Sequence, residues 1–210
     1  MSILWTGLSR IFYSIEPVGY DAFFATTSTI FWHAILPMTV TFIVFIGLMI
    51  KWGKVKQIYS QNRLSFGNGI YKWFGYLVIV GMAIFIISNF DTNFNSIPNH
   101  FSKAAIQRVF VSLIATAVVA VLEESVFRGF VLTEVRKNHS ELTAFITSSV
   151  LFGLWHLPNL LNGGDLITTL AQVIFTMFLG STLYVSLRTT KSISVPMVIH
   201  CLWDFVLVIA

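Results

Sequence analysis

Apolar residues in this chain come in long runs broken by short polar stretches, not in the alternation of a half-buried strand. Six runs can be drawn: from about Phe23 to Ile50, Tyr71 to Phe90, Ala104 to Val135, Leu142 to Leu157, Leu166 to Leu187 and Val195 to Ala210. A helix needs roughly 20 apolar residues to cross a bilayer. The pattern therefore predicts an all-α, polytopic membrane helix bundle of about six transmembrane helices. Pro37 is expected to kink the first run. The third is too long for a straight crossing, so it must tilt, protrude or enclose an interfacial piece. Residues 1–16 differ: Ile3, Leu4, Leu8, Ile11, Phe12 and Ile15 recur at helical spacing, with Ser2, Thr6, Ser9, Arg10 and Ser14 opposite. They predict an amphipathic interfacial helix that ends near Pro17.

Composition agrees with the pattern. Hydrophobic residues make up 56% and charged residues 10%, with a mean hydropathy of +0.79; soluble chains average about 25% charged. With 210 residues, six spans leave no room for a separate soluble domain. The one cysteine, Cys201, excludes an internal disulfide. Met1 to Ser9 carries no charged side chain and no clear small-residue cleavage site follows, so no cleavable signal peptide is expected. The net charge of +4 sets topology; it does not point to a nucleic acid. Lys51, Lys54, Lys56, Arg63, Lys72, Arg136, Lys137, Arg188 and Lys191 lie on one side, against Arg10, Lys103 and Arg108 on the other. That bias places the odd-numbered loops in the cytoplasm and both termini outside.

Charged side chains inside the apolar runs are costly, at about 2.5–3.5 kcal/mol each on insertion scales, and so mark candidate chemistry. The third run holds Glu123, Glu124 and Arg128; the fourth holds His156; the sixth holds His200 and Asp204. His33, beside Trp32 early in the first run, is expected near an interface. Glu124 and Arg128 are four apart and can pair on one helix face. Glu123 lies about 100° around the helix and cannot easily share that pairing, which leaves it for a proton transfer or a metal. His200 and Asp204 share a face, as do Phe152 and His156.

Glu-Glu-x-x-x-Arg at Glu123, Glu124 and Arg128, Phe-x-x-x-His at Phe152 and His156, and His-x-x-x-Asp at His200 and Asp204 fall on successive apolar runs. In that order they resemble the motifs of the CAAX protease and bacteriocin-processing (Abi) family of intramembrane proteases, which includes the type II CAAX prenyl endopeptidase. The resemblance covers about residues 104–210. It implies a catalytic transmembrane core there, preceded over residues 1–103 by the amphipathic helix and two transmembrane helices. It also implies a multi-pass protein of a bacterial plasma membrane that hydrolyses a peptide bond in a membrane-associated protein or peptide. By position, Glu123 looks like the general base and His156 an aid to the water. His200 and Asp204 would stabilise the oxyanion or complete a metal site, and Glu124 and Arg128 would be a structural, substrate-orienting pair. The resemblance fixes no cofactor. Zinc on Glu123, His156 and His200 stays open, although the spacing is not that of His-Glu-x-x-His enzymes. Asp204 stands where many members of the family carry asparagine. An ionised aspartate cannot donate to an oxyanion, so orienting His200 is its expected role.

Plainer explanations compete. A buried ion pair that locks helices accounts for Glu124 and Arg128 without chemistry, and Cys201 reads as packing. Of the six Trp residues, Trp155 and Trp203 flank candidate site residues and are expected to line a cavity. Two rival functions are a catalytically silent bacteriocin-immunity or scaffold protein and an ion-coupled carrier. The first predicts a lost glutamate or histidine, and the second predicts inverted repeats; the sequence shows neither. One tension remains. Counted from the cytoplasmic side, Glu123 and His156 lie about 14 and 16 residues deep but His200 only about 6.

Overall fold

The computed structural model describes Gly7 and Leu8, residues 23–60 and residues 70–209. The amphipathic helix expected over residues 1–16 (apart from Gly7 and Leu8) and Arg63 lie outside the described residues. Among those described there is helix and no strand, the all-α fold that the apolar runs predict. The helices are α1 (Thr27–Lys51), α2 (Val55–Ser60), α3 (Ile70–Ser96), α4 (Lys103–Arg136), α5 (Glu141–Leu154), α6 (Leu166–Thr190) and α7 (Ser194–Val208). Five stretches are long and apolar enough to cross a membrane: α1, α3, α4, α6 and the Glu141–Asn162 stretch that begins with α5. Helix α7 is apolar but only 15 residues long. The chain is an integral membrane protein.

Local sequence explains the starts and irregularities of these helices. Thr26 opens α1 with a capping box, its hydroxyl accepting the Thr29 N–H while Thr29 answers the Thr26 N–H. Pro37 has no N–H to offer the carbonyl one turn back. A π-helical turn over Phe31–Ile35 precedes it, closed by Leu36 N–H to Phe31 C=O. Asp165 caps α6, taking the Thr168 N–H at 2.9 Å and its hydroxyl at 3.1 Å. Those bonds hold the Asp165 carboxyl below its ordinary pKa.

Packing places α7 against α4 and α3, α6 against α5, α3 and α7, and α1 against α4. Helix α3 turns Tyr71, Trp73, Leu77, Val80, Ile84 and Ile87 outward, a face suited to lipid. His33 is buried, and its ring stacks on Phe23 at 4.7 Å.

The depth of His200 follows from where α7 begins. Lys191 takes a left-handed conformation after α6, at φ 59°. Ile193 then tucks among Leu132, Ala144, Tyr184 and Leu187. A Cβ built on Gly129 would lie 3.6 Å from Ile193 Cδ1. Helix α7 therefore starts level with Gly129, while α4 runs on to Arg136, about 10 Å farther. Counted from that level, His200 and Glu124 are at matching depth.

Candidate active site

The three motifs converge. Helix α4 widens into a π-helical turn over Ser125–Val131, immediately after Glu123 and Glu124. Such turns are rare and concentrate at functional sites. Arg128, within it, is fully buried, and its Nη1 lies 3.0 Å from Glu124 Oε1. Its Nη2 donates to the Gly180 carbonyl at 2.9 Å, and the guanidinium stacks over the Phe152 ring at 4.3 Å. A buried guanidinium needs that company, because an unpaired buried charge is strongly destabilising.

Phe152 is the hub of the packing. Its ring is fully buried and meets Phe127, His156 and His200 edge-on, at 5.3, 5.6 and 5.5 Å. The expected pairing of Phe152 with His156 on one α-helix face is corrected in detail. Helix α5 ends at Leu154, and His156 caps a 3-10 turn over Leu157–Asn162. Pro158 explains the change, since it lacks an N–H and disfavours α conformation in the residue before it. His156 Nδ1 lies 3.1 Å from the Phe152 carbonyl oxygen. A carbonyl only accepts, so Nδ1 carries the proton.

His200 sits among three carboxylates. Nδ1 is 3.1 Å from Glu124 Oε1, and Nε2 is 3.3 Å from Asp204 Oδ2 and 3.8 Å from Glu123 Oε2. Asp204 thus adjoins His200, as its expected orienting role requires. Glu124 has a wider part than the sequence suggests, since one of its oxygens serves both Arg128 and His200.

A cavity of about 210 Å³ opens beside this network. Glu123, His156 and Asp204 line it, whereas Glu124, Arg128 and His200 do not. Trp155 and Trp203 form part of its wall, as expected, with Phe175 and Leu179. The Trp155 indole engages the Glu123 carboxylate, while Glu123 Oε2 makes no hydrogen bond within the described residues. Phe23, Phe24, Ala34 and Met38, all from the N-terminal half, close one side.

Sequence reasoning missed three residues of this site. Asn159 and Gln172 line the cavity and bond to each other; Gln172 is an isolated amide in an apolar run, a signal that was present but faint. Gly180 lets Arg128 and Phe152 approach, since a Cβ there would stand 3.3 Å from Nη2 and 3.1 Å from the ring.

The candidate zinc ligands do not form a metal centre as arranged. No group of three or more His, Cys, Asp or Glu side chains among the described residues is placed to hold an ion. Both nitrogens of His200 already face carboxylates, and His156 Nδ1 faces a carbonyl.

Residues 105–206 match the model of the Rce1-like family, described as type II CAAX prenyl endopeptidase Rce1-like. All three motifs lie inside that segment. No curated protein and no solved structure matches the chain.

Proposed function

We propose, from a chain whose residues 105–206 belong to the Rce1-like family, that this protein is a glutamate-type intramembrane endopeptidase with Glu123 as its general base. Its substrate is a membrane-associated protein or peptide. The observation that carries the reading is the division of the site into two rows. Glu123, His156 and Asp204 border the cavity, and Arg128, Glu124 and His200 stand behind them in contact with one another.

In this reading a water in the cavity is held between Glu123 and the free Nε2 of His156. Glu123 removes one of its protons as the oxygen bonds to the scissile carbonyl carbon. The carbon–nitrogen bond then breaks, and the proton on Glu123 passes to the departing amine. His200, fixed by Glu124 on one side and oriented by Asp204 on the other, backs Glu123. No step passes through a metal. Apolar and aromatic walls limit bulk water, which strengthens electrostatic interactions inside.

The test is product analysis by mass spectrometry with purified protein and two probes. One is a farnesylated peptide ending in Cys-aliphatic-aliphatic-Ser; the other is a library of ten-residue apolar peptides. Wild type is expected to cut at least one probe, and Glu123→Gln to cut roughly 100-fold slower or worse while remaining folded. Full activity in Glu123→Gln would refute the glutamate base, and intact probes with wild type would favour a silent scaffold.

A further inference from the structure

We infer that Asn159 and Gln172 form a clamp that reads the substrate's main chain and sets which peptide bond faces Glu123; this rests on the proteolytic reading above. Both side chains border the cavity that holds Glu123, His156 and Asp204, and both are half-buried. Asn159 Nδ2 donates to Gln172 Oε1 at 2.8 Å. That bond leaves Asn159 Oδ1 and the Gln172 amide nitrogen without a hydrogen bond among the described residues. Exchanging oxygen and nitrogen on both amides would change the labels only, since one free acceptor and one free NH2 would remain.

A free acceptor beside a free donor is the complement of a peptide backbone, which offers an N–H and a C=O. In a cavity walled by Trp155, Phe175, Leu179 and Trp203, these neutral groups suit a backbone better than a charged ligand. Such bonds recognise any sequence, and their use is to fix register. The clamp is itself fixed. The Asn159 N–H bonds to the His156 carbonyl at 3.0 Å, and the Asn159 carbonyl takes the Gly164 N–H at 3.0 Å. Gly163 turns the chain there at φ 86°. Asn159 is thereby set three residues from the imidazole that faces the water. Gln172 lies on α6, one turn before Thr176, whose hydroxyl donates to the Gln172 carbonyl at 2.8 Å.

The experiment scans the best-cut probe with single amide-to-ester replacements, using the full chain in detergent. An ester removes one backbone N–H and weakens one carbonyl while leaving the side chains alone. In wild type, one or two positions are expected to lower kcat/KM about tenfold, the scale of a single hydrogen bond. Asn159→Leu and Gln172→Leu should raise KM, lose that position-specific penalty and release products cut at neighbouring bonds. A merely structural role would not move the ester pattern or the cleaved bond. Where a leucine variant fails to fold, Gln172→Met and the wild-type scan decide. A flat scan in wild type, or folded variants that keep both penalty and cleavage position, overturns the clamp. If Glu123→Gln is inactive while the scan is flat, only the clamp fails. If wild type leaves both probes uncut, the proteolytic reading fails and the clamp with it; a fully active Glu123→Gln removes only the glutamate base and leaves the ester scan to decide the clamp.

Discussion

His200 Nδ1 lies 3.1 Å from Glu124 Oε1, the oxygen that also takes Arg128 Nη1 at 3.0 Å. The second glutamate of the pair is therefore the joint between α4 and α7 as well as a counter-ion. It transmits the fixed position of Arg128, itself tied to the Gly180 carbonyl on α6, to the imidazole behind Glu123. Three helices share one buried polar network, and its members are expected to fail together.

Arg128→Ala would leave Glu124 buried against His200 alone. Removing one partner of a buried pair typically costs about 3–5 kcal/mol. Thermal denaturation in detergent should show a large loss of stability, partly restored by Glu124→Gln in the same chain. A variant as stable as wild type yet inactive would instead place Arg128 on the substrate.

Asp204→Asn tests the metal and the aspartate together. Asp204 Oδ2 is 3.3 Å from His200 Nε2 and also borders the cavity. An amide can still hydrogen-bond to His200, so activity within about tenfold of wild type is expected, the loss of one hydrogen bond. Chelators should leave wild-type turnover unchanged. One tightly held zinc in purified protein, lost with activity in Asp204→Asn, would overturn both expectations.

The motif residues were legible because charge in an apolar run has few innocent explanations and because i,i+4 spacing states a shared face. Glu124 and Arg128 pair as that spacing predicts. The π-helical turn at Ser125–Val131 was not legible, since its residues are compatible with an ordinary apolar helix. The depth of His200 could not be counted from loops, because α4 overshoots the start of α7 and only the packing of Ile193 beside Gly129 reveals it. Asn159 and Gln172 gain meaning only as neighbours across two elements, and thirteen residues of sequence separate them.

Gly153→Ala is expected to separate α5 from α6. A Cβ at Gly153 would collide with Met177 Cγ and stand 2.6 Å from the Val173 carbonyl oxygen. The methionine can rotate, but the backbone oxygen cannot, so the helices must part. Overpacking of this kind costs about 1–3 kcal/mol, against a helix-propensity gain of up to about 1 kcal/mol. Because Gly153 follows Phe152, the ring between Arg128, His156 and His200 should shift as well. Lower thermal stability together with reduced turnover is the expected result; unchanged values of both would show that the contact relaxes freely.

The π-helical turn also carries a test outside the family-matched segment. Helix α2 lies against it: Tyr59 Oη and Ser125 Oγ are 2.9 Å apart, and Ile58 is buried beside Gly129. Lys54 pairs with Glu134 at 2.9 Å near the end of α4. Lys54 and Glu134 are partly exposed, and such a pair contributes little, about 0–1 kcal/mol. Lys54→Ala should therefore be almost silent in stability and turnover. Tyr59→Phe removes a hydrogen bond to the fully buried Ser125, worth about 0.5–1.5 kcal/mol. Gly129→Val should do more, because its side chain would collide with Ile58 Cγ2 and push α2 from the turn. The expected order of damage to thermal stability is Lys54→Ala, then Tyr59→Phe, then Gly129→Val. Turnover should fall in the same order, since Ser125 directly follows Glu124 and the turn sets the direction of both glutamates. Gly129→Val with wild-type turnover would show that α2 covers the turn without positioning it.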